Sequence, residues 1–381
     1  MVSDGQLFMN IIGAALQGVR LEDDSLPAQQ LSRLAAAAVQ HHLLPLFYEA
    51  VYSLPQAKET LAPYASAVRR QVMGQAMRTQ GLLALLEQLE QEDLHPLVVK
   101  GFVCRSLYPS GDHRPSSDED LLVGDGDFLR CCHALETLGY ATTDPEDAYE
   151  RTYRSQSGLC IELHRQLFDP DSPIYGSWNQ YFDATRAETI SGVATLVPTE
   201  HILYLLLHAF KHFLHSGFGI RQVCDIVLFA RQYDSCIHWS QVEDILCRLH
   251  ADRFAAAVFL LGQHYWGIPA PLCREVDPQP LLADLLQAGI YGGSELARKR
   301  SSNITLSAAS GQKSSHWRSA LFPPRSSLTG RFPYLKKRPW LLPFAWLCRI
   351  LTYKNNRSSV RTLQIGKERL ALLRLYGVIE E

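Results

Sequence analysis

Two aspartates spaced i, i+2 open an apolar run, Ser117-Asp118-Glu119-Asp120-Leu121-Leu122-Val123. Alternate side chains of a β-strand share a face, so Asp118 and Asp120 point one way and Glu119 the other. Adjacent carboxylates repel unless a positive charge lies between them, and Mg²⁺ is typically held by one or two carboxylates together with substrate phosphates. A third carboxylate, Glu162, sits in Leu159-Cys160-Ile161-Glu162-Leu163-His164-Arg165, an alternating strand whose Cys160, Glu162 and His164 share one face. If the two strands pair, three carboxylates converge, the arrangement that metal-dependent phosphoryl transfer needs. Two would hold ions that bridge triphosphate oxygens, and the third would complete the second site or take the proton of an attacking hydroxyl. Such chemistry is positioning and charge neutralisation, so it asks for few protein groups. A lone Asp-x-Asp also occurs as a solvated strand end, so the weight rests on the whole ordered set.

That set begins upstream, with an apolar strand at Leu97–Val99 ending in Lys100-Gly101, a short helix, and a turn rich in Pro, Gly and Ser over 109–117. Gly101 at a strand-to-helix turn would let the backbone approach phosphate. Lys100 and Arg114 are candidate phosphate charges and Ser117 a further phosphate-binding candidate; no histidine or acid stands near Ser110, Ser116 or Ser117 in a triad-like pattern. Further along, His208, Lys211 and His212 fall within one helical turn, with the histidines at i, i+4. They read as a polar wall toward nucleotide phosphate or, in the plainer alternative, as histidines at a core edge. A zinc-protease pattern would need Glu after the first His, where Ala209 stands. His164 is either a partner to the acidic site or a buried, satisfied histidine, and the i, i+4 pair Arg221 and Asp225 reads either as a helix-surface ion pair or as a pair that orients Lys211.

The elements that must position these groups divide the chain into four stretches: a helical region at 1–93, a small sheet core at 94–195, a second helical region at 196–295 and a basic extension at 296–381. Apolar spacing predicts helices over Leu7–Leu16, Leu31–Val39, Val72–Leu89, Phe128–Leu138 (closed by Gly139), His201–Leu214, Ile220–Gln232, Trp239–Leu249 and Arg253–Tyr265. Strands are predicted at Leu97–Val99, Asp120–Val123, Thr152–Arg154 and Cys160–Leu163, separated by Ser-Gly and Asp-Gly turn signals. Near the end, an apolar piece at Trp340–Tyr353 and a short amphipathic helix at Lys367–Tyr376 follow an aperiodic Arg/Ser/Gly/Pro-rich stretch at 298–333.

A hydrophobic share of 46% in 381 residues supports a sizeable core and argues against a disordered chain. Nine scattered cysteines without a C-x-x-C pair read as reduced thiols of a cytoplasmic protein. Asp4 and the lack of a basic start argue against a signal peptide, and no apolar run approaches the ~18–20 residues of a membrane span. The net charge of −2 conceals a split, because residues 1–295 carry 20 basic against 36 acidic groups. From Leu296 through Lys367 there are 15 Lys or Arg and no Asp or Glu. Such a segment meets a polyanion, a membrane surface or the acidic body of its own chain; the last, framing a cleft or recruiting an anionic acceptor, is the favoured expectation.

The ordered set Lys100-Gly101, Arg114-Pro-Ser-Ser-Asp118-Glu-Asp120-Leu-Leu-Val123 and Glu162-Leu-His164 resembles the nucleotidyltransferase superfamily of the DNA polymerase β type, and more closely its uncharacterised bacterial branch. The likeness covers most of the chain, continuing through Leu206-Leu-His-Ala-Phe-Lys-His212, Arg221-Gln-Val-Cys-Asp-Ile-Val-Leu228, Leu321-Phe-Pro-Pro324 and Arg338-Pro-Trp-Leu-Leu-Pro-Phe-Ala-Trp-Leu-Cys-Arg349. It implies an α+β fold, a mixed-sheet catalytic core flanked by helical regions. It also implies two-metal transfer of an NMP from an NTP to a hydroxyl or phosphate of a small-molecule or peptide acceptor, releasing pyrophosphate. Asp118, Asp120 and Glu162 would be the catalytic metal carboxylates, with Mg²⁺ or Mn²⁺ as cofactor. Two positions depart from the superfamily: Gly101-Phe102 stands where it has Gly-Ser or Gly-Gly, and Glu119 replaces an apolar residue, which predicts a partly exposed strand face. The Gly101-Phe102 departure leaves one alternative, a catalytically degenerate nucleotide-binding adaptor in a biosynthetic operon, and the basic tail leaves another, a nucleic-acid-modifying transferase.

Overall fold

The computed structural model describes residues 3–22, 26–145, 148–215, 217–288, 338–354 and 357–379, with isolated positions between 305 and 335. Two compact units emerge: residues 1–208 with 220–278, and residues 209–219 with 279–381. The first opens with helices α1 (Asp4–Leu16), α2 (Ala28–Gln40), α3 (Leu44–Val51), α4 (Ala57–Thr60) and α5 (Ala62–Gln91). Ser3 starts α1 with a reciprocal capping box: its hydroxyl accepts from Gln6 N, and Gln6 Oε1 accepts from Ser3 N. On α2 the buried residues are Leu31, Leu34, Ala35 and Ala38, the i, i+3, i+4, i+7 stripe of a helix packed on one side.

The sheet follows. Strand β1 (Leu97–Val99) leads through α6 (Gly101–Arg105) to β2 (Glu119–Leu122) and α7 (Asp125–Thr137); then come the hairpin strands β3 (Glu150–Arg154) and β4 (Cys160–His164). The order in space is β1-β2-β4-β3. β2 runs antiparallel to β1 but parallel to β4, while β3 and β4 are antiparallel, so the sheet is mixed and the fold α+β. A second, two-stranded sheet, β5 (Ala187–Ile190) and β6 (Val193–Leu196), packs against β1. Sequence patterning missed this hairpin. Its turn, Ser191-Gly192, has positive φ at both residues, the backbone a tight two-residue hairpin requires.

Four helices complete the unit: α8 (Pro198–His215), which runs on into the second unit, α9 (Ile220–Tyr233), α10 (Trp239–Arg248) and α11 (Asp252–Trp266). In the second unit α12 (Gln279–Ala288), α13 (Leu342–Lys354) and α14 (Arg357–Leu375) are described. There the Arg369 guanidinium of α14 donates to the carbonyls of Phe213 and His215, which the C-terminus of α8 would otherwise leave open, and Tyr376 meets Phe213 edge-on at 6.0 Å. Most of 298–333, including Leu321-Phe-Pro-Pro324, lies outside the described residues. Among the described residues no helix is long and apolar enough to cross a membrane.

Candidate active site

Asp120 stands opposite Glu162 in the parallel β2–β4 ladder, and Leu122 opposite His164. In the β3–β4 ladder Glu150 stands opposite His164 and Thr152 opposite Glu162. Strand alternation therefore gathers Asp120, Glu162, His164 and Glu150 on one face. Buried Leu121, Ile161, Leu163 and Tyr153 fill the other face, with the Tyr153 hydroxyl donating to Glu136 of α7 at 3.2 Å.

One ligand atom each from Asp120, Glu162 and His164 lies within 4.8 Å of the other two. His164, buried, has its Nε2 3.4 Å from Asp120 Oδ1 and its Nδ1 3.4 Å from Glu150 Oε2. Both separations exceed a good N–H···O bond, and among the described residues neither ring nitrogen has a hydrogen-bond partner. Lys100 Nζ lies 3.0 Å from Asp120 Oδ1 and 2.9 Å from Oδ2. Half-buried Asp118, just ahead of β2, accepts from Ser117 Oγ at 3.0 Å. Burial alone would raise the Asp120 pKa, but Lys100 and His164 outweigh it and hold the carboxyl at about 2. Glu162 goes the other way, pushed up to about 8 by burial and by the charges of Asp120 and Asp118. Burial disfavours the Lys100 ammonium, yet Asp120, Tyr204, Asp118 and Glu162 raise its pKa well above the ordinary lysine value. Several carboxylates thus share one ammonium, and the face is short of positive charge. Two converging carboxylates with an unsatisfied buried imidazole form a donor set that fits a divalent cation.

Lys100 reaches this face through an unusual backbone, φ 62° and ψ −105°, a conformation costly for a residue with a Cβ. His201 holds it there: the Lys100 backbone N–H donates to His201 Nε2 at 3.2 Å. His201 Nδ1 lies 3.0 Å from Thr195 Oγ1, so Nδ1 carries the ring proton and Nε2 the acceptor lone pair. Burial depresses the His201 pKa to about 3, which keeps the ring neutral and the acceptor available. Tyr204 and His208 follow at i+3 and i+7 on α8, the same helix face. His208 Nε2 is 3.5 Å from Lys100 Nζ, and its ring centroid is 5.6 Å from that of Tyr204. Substituting His201→Ala releases the Lys100 backbone, and kcat/KM is expected to fall about a hundredfold, the scale of a 1 Å misplacement. Because a Gln side-chain oxygen can accept the same N–H, His201→Gln is expected to restore part of the rate. Equal losses in both variants at matched thermal stability would contradict this role.

Beneath the strand, Glu119 is fully buried rather than partly exposed, a correction to the sequence expectation. Arg105 Nη1 of α6 donates to Glu119 Oε1 at 2.6 Å, Ser116 Oγ adds a bond at 3.1 Å, and Gln75 Oε1 of α5 accepts from Ser116 N at 2.8 Å. Gly101 is required by this carboxylate. A Cβ there would collide with Glu119 Oε2 and stand 3.2 Å from its Cδ. Arg114, expected at phosphate, is instead engaged by Asp225, with Nε–Oδ1 at 2.7 Å and Nη2–Oδ2 at 2.6 Å, both side chains 3% exposed. Tyr108 OH donates to the same Asp225 at 2.8 Å. Asp225 thus answers Arg114 across the fold and not Arg221 on its own helix, whose guanidinium donates to the Pro115 carbonyl. Among the other expected residues, Ser117 is exposed beside Asp118, and His208 reaches Lys100; Lys211 and His212 are half-buried on the stretch of α8 that belongs to the second unit. Sequence reasoning missed Glu150, Tyr204 and His201. The i, i+3, i+7 spacing of His201, Tyr204 and His208 was the available signal for the last two.

A family model described as an uncharacterised nucleotidyltransferase matches residues 27–267, from α2 to the end of α11. No curated protein and no solved structure matches the chain.

Proposed function

The chain belongs to this uncharacterised nucleotidyltransferase family, and from that premise we propose that it moves an NMP from an NTP to a hydroxyl or phosphate of a small-molecule or peptide acceptor, releasing pyrophosphate. The observation that carries the reading is the convergence of Asp120, Glu162 and His164 within 4.8 Å on one sheet face, with Lys100 beside them. Asp118, Asp120 and Glu162 would hold Mg²⁺, and the His164 nitrogen would admit Mn²⁺ as well. A cation bound there would supply charge neutralisation to the phosphate during transfer. Lys100 meets phosphate as a fixed point charge, with His208 beside it and Ser117 at the mouth. Glu162 serves as third ligand or as acceptor of the attacking hydroxyl's proton. Gly101 and Arg114 act on geometry, the first by admitting Glu119 and the second by tying the loop before Asp118 to α9. For Lys211 and His212 as phosphate or acceptor contacts, the support is helical spacing alone. Nine free cysteines, five of them buried and three exposed, fit a reducing, cytoplasmic setting.

One observation favours a second reading, a nucleotide-binding adaptor without turnover: Lys100 already neutralises Asp120, as a site that had abandoned metal chemistry would leave it. Pyrophosphate release from each of the four NTPs with Mg²⁺ or Mn²⁺, beside Asp118→Ala/Asp120→Ala, separates the two. Release that disappears in the double variant supports the transferase. NTP binding without release in the wild type supports the adaptor.

A further inference from the structure

Helix α13 is apolar on two sides, and its own unit uses one of them. Ala345 is buried with Leu328 and Leu335, and Leu341, Leu342 and Trp346 pack against that cluster. On the other side Trp340, Phe344 and Leu347 are 71%, 57% and 54% exposed, and Pro343 is exposed between them. Trp340 lies in the 3-10 turn Pro339–Leu341 that leads into the helix. Phe344 and Leu347, at i, i+3, share one face of the helix, and Trp340 adds a third exposed apolar side chain in the turn just before it. Scattered surface apolar residues need no explanation, but a contiguous stripe marks an interaction surface.

Charge indicates the partner. The stripe sits inside the segment from Leu296 through Lys367 that holds 15 Lys or Arg and no carboxylate. Lys336, Lys337 and Arg338 precede the stripe in sequence, and Arg349, Lys354, Arg357 and Arg361 follow it. We propose that α13 is a peripheral anchor, lying in the headgroup–acyl boundary of an anionic lipid bilayer with Trp340, Phe344 and Leu347 inserted, drawn there by the basic charge of this stretch of sequence. Its 13 residues make a rod of roughly 20 Å, shorter than the ~30 Å hydrocarbon core, so the helix lies on the surface and does not span it. Nucleic acid accounts for the charge but not for the stripe, since Leu347 and Pro343 offer no π-face for a base. Trp suits the boundary, with an apolar body and a polar N–H.

The test is flotation of the full chain with vesicles of phosphatidylcholine alone and of phosphatidylcholine mixed with phosphatidylglycerol, at low and physiological salt. Co-flotation with the anionic vesicles, weakened by salt, is expected. The variant Trp340→Ser/Phe344→Ser/Leu347→Ser is expected to lower that partitioning at least about tenfold with its circular dichroism unchanged. Three outcomes overturn the proposal. No flotation of the wild type on anionic vesicles is one, and equal flotation of the triple variant is another. The third is loss of a dimer in the triple variant, seen by sedimentation, which would assign the stripe to a second copy of the chain. None depends on turnover, so the anchor and the transferase stand or fall separately.

Discussion

Asp120→Asn is expected to lower nucleotidyl transfer by at least about a thousandfold while leaving the protein folded. The carboxylate faces Glu162 across the parallel ladder and lies against both His164 and Lys100, so its charge is central to any cation the face can hold. Asparagine keeps the volume and a carbonyl oxygen, but it removes the charge on which metal affinity and phosphate neutralisation depend. It also deprives Lys100 of its closest partner. That loss is bounded, because Lys100 is 16% exposed and Asp118 and Glu162 still act on its ammonium. A stability cost of about 1–3 kcal/mol follows, short of unfolding. Initial rates measured beside denaturant melts give the answer, and an Asp120→Asn enzyme with near wild-type turnover would remove the carboxylate assignment.

The largest effect on stability is expected away from the carboxylates, at Asp225→Ala. Arg114 and Asp225 are each 3% exposed and joined by two short hydrogen bonds, and Tyr108 donates to the same carboxylate. Removing the acid strands a guanidinium and a phenol in the interior. An orphaned buried charge costs about 3–5 kcal/mol, far above a surface substitution. The expected fall in Tm is on the order of 10 °C. Replacing both partners with apolar residues of similar volume, Arg114→Met with Asp225→Leu, is expected to recover most of that loss, since the pair itself contributes little net stability after desolvation. Turnover of the single variant should drop even where it is fully folded, because Arg114 lies four residues before Asp118 and tethers that loop to α9. A melting temperature within a degree or two of wild type would contradict the buried-pair account.

These two sites also mark what the sequence made legible. Local patterns carried the elements: apolar runs bounded by Ser-Gly and Asp-Gly signals located the four strands of the mixed sheet, and period-two alternation put Asp120 on one face and Glu119 on the other. Helical spacing found α8 and singled out His208, though its contact to Lys100 came only with the fold. Partner choice was not local. Arg105 neutralises Glu119 from the preceding helix, so a carboxylate expected near solvent is buried, and Asp225 pairs with Arg114 more than a hundred residues away, not with Arg221 one turn before it. Gly101 read as a site for phosphate, yet the atom that excludes a Cβ belongs to Glu119. His201 gave no signal beyond its helical spacing to Tyr204 and His208. A buried neutral histidine that accepts one backbone N–H becomes visible only when the strained residue it holds, Lys100, is seen at φ 62°. The β5–β6 hairpin is too short for its alternation to register, and only its Ser-Gly turn hinted at it.

The fate of the α-phosphate tests the central claim most directly. Wild-type protein with Mg²⁺ and a cell extract as acceptor source would be given NTP labelled at the α or at the γ position. The account predicts that α label enters an acceptor, that γ label leaves as pyrophosphate, and that a chelator abolishes both. Transfer of γ label to the acceptor, or no consumption of any NTP by protein that binds it, would contradict nucleotidyl transfer at this site.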